Sequence, residues 1–242
     1  MKKILLSSLL FLLFAGLLFA GDVTGRIVCI DPGHQLHWDS TPEPIGPGAT
    51  KTKPCVSSGT SGPISGPEHS VVLDIGLRLR DILTTHGITV VMTRTVADVH
   101  LCNSERAQIA NIAGADLFVR LHCNSGSSHS CFTLYPANTP GWTDDIYDES
   151  LKAAQIVQME YAKYTGIPDA GLSRRADISG FNWSDVPVIL PEMLHMQNTN
   201  DDYLVSTPEF RQKMAEGQAV GIIKYLETLP PKKPEGSGMM AK

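Results

Sequence analysis

Four polar residues stand where apolar runs stop. His34 ends Ile30-Asp31-Pro32-Gly33-His34, His122 lies in Leu121-His122-Cys123-Asn124, Glu192 follows Leu190-Pro191, and Glu68 follows a long Gly- and Pro-rich stretch. Two imidazoles and a carboxylate make a His₂Glu set, which suits a catalytic Zn2+ that keeps one position open for water. A second carboxylate nearby can take the proton of that water. Zinc lowers the pKa of bound water from ~15.7 to ~7, which brings amide hydrolysis within reach at neutral pH. The intervals between these residues are far longer than in a local motif such as HExxH, so only a tertiary fold can assemble them.

Each residue also has a plain structural reading. His34 closes a turn that Pro32 and Gly33 already explain. Ser65-Gly66-Pro67-Glu68 matches a capping box, in which the Glu satisfies a helix terminus. His122 reads equally as a polar strand terminus, and Glu192 as a solvated residue. His37 and His69 adjoin the candidate ligands in sequence and are alternatives to them. His129 and His195 read as loop histidines near the same rim. Asp31 either holds His34 through its second ring nitrogen or caps the turn.

Apolar strands alternating with helical patterns must position these groups. Arg26–Ile30 is a short β-rich run into a turn, and residues 35–67, rich in Gly, Pro, Ser and Thr, read as a long surface loop. From Glu68, Val72, Ile75, Gly76, Leu79 and Leu83 fall on one helical face that Gly87 ends. Ile88–Met92, Leu117–Leu121, Cys131–Tyr135 and Val188–Leu190 are further strands. Ser104 is placed to cap a helix through Ala113. Residues 148–165 form another helix, 167–186 read as irregular, and Thr207-Pro208 open a last helix to about Leu229. The pattern predicts an α/β fold, a single layered domain with a mostly parallel central sheet flanked by helices. In such sheets, sites gather beyond the carboxyl ends of strands, where His34, His122 and Glu192 fall.

The chain opens with Lys2 and Lys3 before an apolar run of 17 residues, Ile4–Ala20, as in a secretory leader. Cleavage after Ala20 gives a signal peptide over 1–20, a catalytic domain over 21–229 and a disordered tail over 230–242. Leu18 is a poor −3 residue, which leaves an uncleaved anchor as the minority reading. The expected location is outside the cytoplasm, secreted and associated with the cell wall. Loss of Lys2 and Lys3 takes the formal charge from −5 to −7, and an acidic chain with three Trp and no basic block excludes a nucleic-acid binder. Five cysteines lack CxxC spacing, which excludes a cysteine zinc site. Cys29 and Cys123 read as core, and Cys55 and Cys102, in loop-like sequence, are the better candidates for a bridge.

Taken in order, DPGH ending at His34, Glu68 at a helix start, His122-Cys123-Asn124, and Glu192 with Asn198 beyond it resemble the zinc-dependent N-acetylmuramoyl-L-alanine amidases. Arg94, Arg106 and Ala110-Asn111 fit the same pattern, and the likeness covers about residues 26–228. The resemblance implies that His34, Glu68 and His122 ligate zinc and that Glu192 is the catalytic carboxylate. It implies peptidoglycan as substrate, cut between the lactyl group of N-acetylmuramic acid and the L-alanine of the stem peptide. The chain departs from the family pattern at Gln35-Leu36, Arg120-Leu121 and Met193-Leu194-His195, positions that shape a cleft rather than supply a ligand. Two rival readings are a secreted zinc peptidase acting on other peptides and a non-catalytic wall-binding protein on the same fold.

Overall fold

A computed structural model describes residues 22–232; the expected leader and all but three residues of the expected tail lie outside that range. Within it run, in order, β1 (Ile27–Pro32), β2 (Asp39–Pro44), β3 (Thr52–Val56), β4 (Ser61–Gly62), β5 (Gly66–Pro67), α1 (Glu68–Thr85), β6 (Thr89–Met92), α2 (Asn103–Ala113), β7 (Leu117–Asn124), β8 (Cys131–Pro136), α3 (Tyr147–Thr165), β9 (Asp169–Arg175), α4 (Ser179–Asn182), β10 (Val188–His195), α5 (Thr199–Ser206) and α6 (Pro208–Glu227). Among these no helix is long and apolar enough to cross a membrane.

The central sheet has six strands in the order β6-β1-β7-β10-β8-β9. All neighbours are parallel except β10 and β8. The expected mostly parallel sheet with flanking helices is therefore present. Period-two alternation sorts its side chains into two cores. Val28, Ile30, Leu117, Val119, Leu121 and Ile189 enter the larger core, whose helical side carries Val72, Ile75, Val157 and Ile222 of α1, α3 and α6. Cys29, Phe118, Val188 and Leu190 face the other way, toward Ala107 and Ala110 of α2 and Phe181 of α4. That second layer is thin, since α4 has only four residues. On the thin side, Cys29 leads to Asp31, Phe118 to Arg120 and then His122, and Leu190 to Glu192. The polar ends of three strands thus emerge on the face that helices leave partly open.

Three segments differ from the sequence expectation. The loop expected over 35–67 contains an antiparallel hairpin, β2–β3, which pairs Glu43 with Lys53. Its pattern escaped notice because Pro42, Pro44 and Pro54 interrupt it, as an edge ribbon tolerates. The hairpin is fixed to α2 by a Cys55–Cys102 disulfide, the pairing favoured from sequence. The stretch over 167–186, expected irregular, supplies edge strand β9 and helix α4. In α2, Cys102 rather than Ser104 is the N-cap residue, and Glu105 accepts from its backbone N–H. At the chain's end, Thr207 caps α6 as expected, accepting from Phe210 N–H at 3.3 Å. Beyond α6, Arg26 donates to the carbonyls of Leu229 and Pro230, and Lys232 pairs with Asp116.

Candidate metal centre

Three of the four candidate residues meet. Ligand atoms of His34, Glu68 and His122 lie within 4.8 Å of one another. His34 Nε2 is 3.1 Å from Glu68 Oε2, His122 Nδ1 is 3.0 Å from Glu68 Oε1, and the two imidazole nitrogens are 3.1 Å apart. His34 Nδ1 donates to the carbonyl of Ser57 at 2.8 Å, so Nε2 presents a lone pair to Glu68. A proton on His122 Nδ1 satisfies one of the remaining contacts but leaves His34 Nε2 facing a carboxylate oxygen. Three converging lone pairs repel unless a cation lies between them. Tetrahedral zinc with bonds of about 2.0–2.1 Å separates its ligands by roughly 3.3 Å, close to the spacing here. The donor set fits zinc.

Glu68 and His34 are held by hydrogen bonds from outside the triad, and His122 by packing alone. Glu68 opens α1, but Pro67 is the N-cap and no side chain caps the helix. Ser65 instead gives its hydroxyl to Asp202, so the capping-box reading does not hold. The Glu68 carboxylate accepts from the backbone N–H of Thr60 at 2.9 Å and of Cys123 at 3.0 Å. Burial pushes this carboxyl up, but hydrogen bonds from His122 and His34 outweigh it and hold the group below the usual carboxylate range. Burial also depresses the His122 imidazole, favouring the neutral form that binds a metal.

His34 has a φ of 59°, left-handed backbone that a non-glycine residue rarely adopts. Two buried guanidinium groups secure that turn. Arg94 donates to the carbonyls of Pro32 and Gly33, and Arg106 to those of Pro32 and His34. Asp31 neither holds His34 nor caps the turn. It accepts from Arg106 at 2.6 Å, Arg120 at 2.9 Å and the Thr93 hydroxyl at 2.6 Å. Burial opposes its ionisation, but Arg106 and Arg120 prevail and hold its carboxyl far below the usual range. Gly33 lies directly under the His122 ring, where an added Cβ would come within 2.3 Å of Cε1. Gly59, at φ 77°, approaches Glu68 and His34 as closely as 2.8 Å by the same measure.

Glu192 pairs in register with His122 on adjacent parallel strands, so both side chains leave the same face. Its Oε2 is shielded from solvent and has no hydrogen-bond partner among the described residues. Burial first, and the Glu68 carboxylate second, push its carboxyl up to about 8, with Arg175 pulling the other way. A cation at the triad would draw it back down. Glu192 and the triad line one cleft of about 580 Å³, joined by Asn124, Arg120 and Arg175.

The alternative histidines do other work. The His69 ring contacts the Ser70 hydroxyl, and its carbonyl accepts from Arg94. His129 pairs with buried Asp201. His195 donates from Nδ1 to the Ser130 carbonyl and accepts from Asn124 at Nε2. Sequence reasoning missed Ser57, Lys53 and Arg175 as site neighbours, because they lie in the segments read as loop or irregular.

A parallel α/β sheet thus carries a His₂Glu cluster and an adjacent buried carboxylate at its carboxyl edge. Residues 28–224 match the family described as N-acetylmuramoyl-L-alanine amidase. An N-acetylmuramoyl-L-alanine amidase of Mycobacterium tuberculosis is 31% identical over 216 residues, 86% of this chain and 89% of that protein. The structure of an N-acetylmuramyl-L-alanine amidase from Mycobacterium smegmatis superimposes with a TM-score of 0.78 at 32% identity, covering 86% of this chain and 100% of that one. An amidase of the same kind from Mycobacterium abscessus, in its apo form, gives 0.76 at 30% identity, with 84% and 99% covered. The chain belongs to the N-acetylmuramoyl-L-alanine amidase family.

Proposed function

We propose that this protein is a secreted peptidoglycan hydrolase that cleaves the amide between N-acetylmuramic acid and the L-alanine of the stem peptide. Residues 1–20 act as its leader and 21–229 as its catalytic domain. His34, Glu68 and His122 hold zinc, and Glu192 is the catalytic carboxylate. The observation that carries this reading is the convergence of three side chains able to ligate a metal beside a carboxylate whose Oε2 has no partner among the described residues.

Zinc bound there supplies a polarised scissile carbonyl and a water of lowered pKa. The chain's own groups do the rest. Ser57 fixes the His34 tautomer, and the N–H groups of Thr60 and Cys123 fix the Glu68 carboxylate. Glu192 accepts the proton of the attacking water and returns it to the nitrogen of the departing L-alanine. A buried carboxylate beside the triad, whose Oε2 has no hydrogen-bond partner among the described residues, is free to take up that proton and return it.

Metal analysis combined with mass spectrometry of products from a defined muropeptide tests this. The expected result is one zinc per chain and release of peptides with a free N-terminal L-alanine. Release of peptides cut elsewhere, or no cleavage with zinc bound, would refute it.

A further inference from the structure

Asn124 lines the cleft one pleat beyond His122 on β7, and the alternation of the strand turns its side chain to the same face. Its amide has only one consistent orientation. The backbone N–H of Ser125 donates to Oδ1 at 2.9 Å, and Nδ2 lies 3.0 Å from His195 Nε2. A backbone N–H can only donate, so the oxygen is fixed on that side and the NH₂ on the other. The far end of the pair is fixed in the same way. His195 Nδ1 is 3.0 Å from the Ser130 carbonyl, which can only accept, so in the neutral ring Nδ1 carries the hydrogen and Nε2 is the acceptor. One Nδ2 hydrogen of Asn124 thus goes to His195. The second has no acceptor among the described residues, and the side chain is half-buried at the cleft wall.

This contact depends on an irregularity in the sheet. Glu192 pairs with His122, but the register then shifts, so that His195 pairs with Asn124. Unbroken pairing would set Leu194 opposite Asn124, whereas Leu194 is fully buried in the larger core. Bulges of this kind re-aim side chains and gather beside active sites. His195 is itself 6% exposed and lies against Phe132, with ring centroids 6.0 Å apart. The Met196 N–H donates to the Asn124 carbonyl at 2.9 Å, so backbone and side chain of Asn124 are both held. His195 also falls in Met193-Leu194-His195, where the chain departs from the family pattern.

We propose that Asn124 donates a hydrogen bond to a substrate carbonyl oxygen flanking the scissile amide, and that His195 is the positioning residue that holds the Asn124 amide in its donating orientation. This rests on the amidase reading above and deepens it. A muramyl peptide offers two such oxygens, the acetamido carbonyl of the sugar and the carbonyl of the L-alanine. A carbonyl oxygen only accepts, so it matches an amide whose NH₂ is turned toward the cleft and not one turned the other way. Because the donor is oriented before the substrate arrives, little ordering cost remains at binding. An apolar residue at position 195 would leave the Asn124 NH₂ without its acceptor and the side chain free to turn.

The test is steady-state kinetics of the full zinc-loaded protein on N-acetylmuramyl-L-alanyl-D-glutamate, with two analogues as competitors. One has hydrogen in place of the acetamido group, and the other has CH₂ in place of the alanine carbonyl. Asn124→Ala is expected to raise KM for the parent by roughly two- to tenfold, the scale of one hydrogen bond. It should raise Ki for one competitor by the same factor and leave Ki for the other unchanged, which identifies the carbonyl. His195→Phe, which keeps a ring against Phe132, should raise KM in the same direction and have no further effect in the Asn124→Ala background. His195→Gln, which keeps an acceptor in about the same place, should recover part of the loss. Native KM in Asn124→Ala, or both competitors weakened alike, would overturn the contact while leaving the amidase reading in place. Losses from His195→Phe and Asn124→Ala that simply add would overturn the positioning role. Failure of the native protein to cleave the parent at the muramyl amide would overturn both readings. Asn124→Ala, a truncation at the cleft wall, decides the contact if His195→Phe does not fold.

Discussion

Gly33→Ala isolates how closely the fold and the proposed metal site depend on each other. The added methyl would sit 2.3 Å from His122 Cε1 and 2.4 Å from Nε2. Carbon contacts settle near ~3.5–4.0 Å, so one partner must shift by about 1.2 Å or more. Gly33 cannot yield readily, because its N–H is bonded to the Leu121 carbonyl and its own carbonyl to Arg94. The His122 ring can, because among the described residues its Nε2 has no hydrogen bond to hold it. Overpacking of this kind costs about 1–3 kcal/mol of stability, a modest part of a domain's total. A ligand displaced by 1 Å costs far more in function, on the order of 10²-fold in rate. Gly33→Ala is therefore expected to remain folded, with a melting temperature lowered by no more than about 10 °C. Its zinc affinity and its turnover on muropeptide should fall by about 10²-fold. Circular dichroism melting, competition with a zinc chelator and product release measure the three quantities. A variant that folds and keeps native zinc affinity and turnover would refute the claim that Gly33 seats His122.

Three further variants probe separate parts of the molecule. Glu192→Gln should keep zinc yet lose about 10²–10⁴-fold in turnover, measured at saturating substrate, since only proton transfer is removed; near-native turnover would remove Glu192 from the mechanism. Asp31→Asn should destabilise the protein by about 3–5 kcal/mol in urea unfolding, because Arg106 and Arg120 stay buried without their counter-charge. The same ion pair sets a pH dependence. The Asp31 pKa is depressed in the fold, so its contribution is complete above the unfolded value of about 3.9 and is lost as pH falls below it. The variant's stability deficit should shrink on acidification, and a deficit independent of pH would count against the pairing. Cys55→Ser with Cys102→Ser opens a loop with a sequence separation of 47 residues. The chain-entropy estimate for such a loop is about 4 kcal/mol, or a melting temperature lower by about 10 °C, with the same drop in the native protein under reductant.

Residue types and order determined a good deal by themselves. Alternating apolar strands and periodic helices specified a parallel α/β domain, because each pattern buries an apolar face in only one way. The stops at His34, His122 and Glu192 placed them at carboxyl ends of strands, and the spacing of α1 put Glu68 at a helix start. The bridge between Cys55 and Cys102 was legible from their loop-like surroundings. What sequence left open was every choice between a functional and a plain structural reading. Glu68 fits a capping box as well as a metal site, and only the fold sends Ser65 to Asp202 and turns the Glu68 carboxylate toward two imidazoles. Asp31 fits a partner for His34, yet the fold buries it between two arginines from distant elements. The prolines of β2 and β3 and the polar character of β9 concealed three strands, and with them Lys53 and Arg175. The hairpin strands complete each other's hydrogen bonds, whereas β9 exists because β8, distant in sequence, completes its own, as Phe118 and Val119 help complete those of β10. Local sequence fixes what a segment can bury; which distant side chains share its surroundings is decided only when the sheet closes around them.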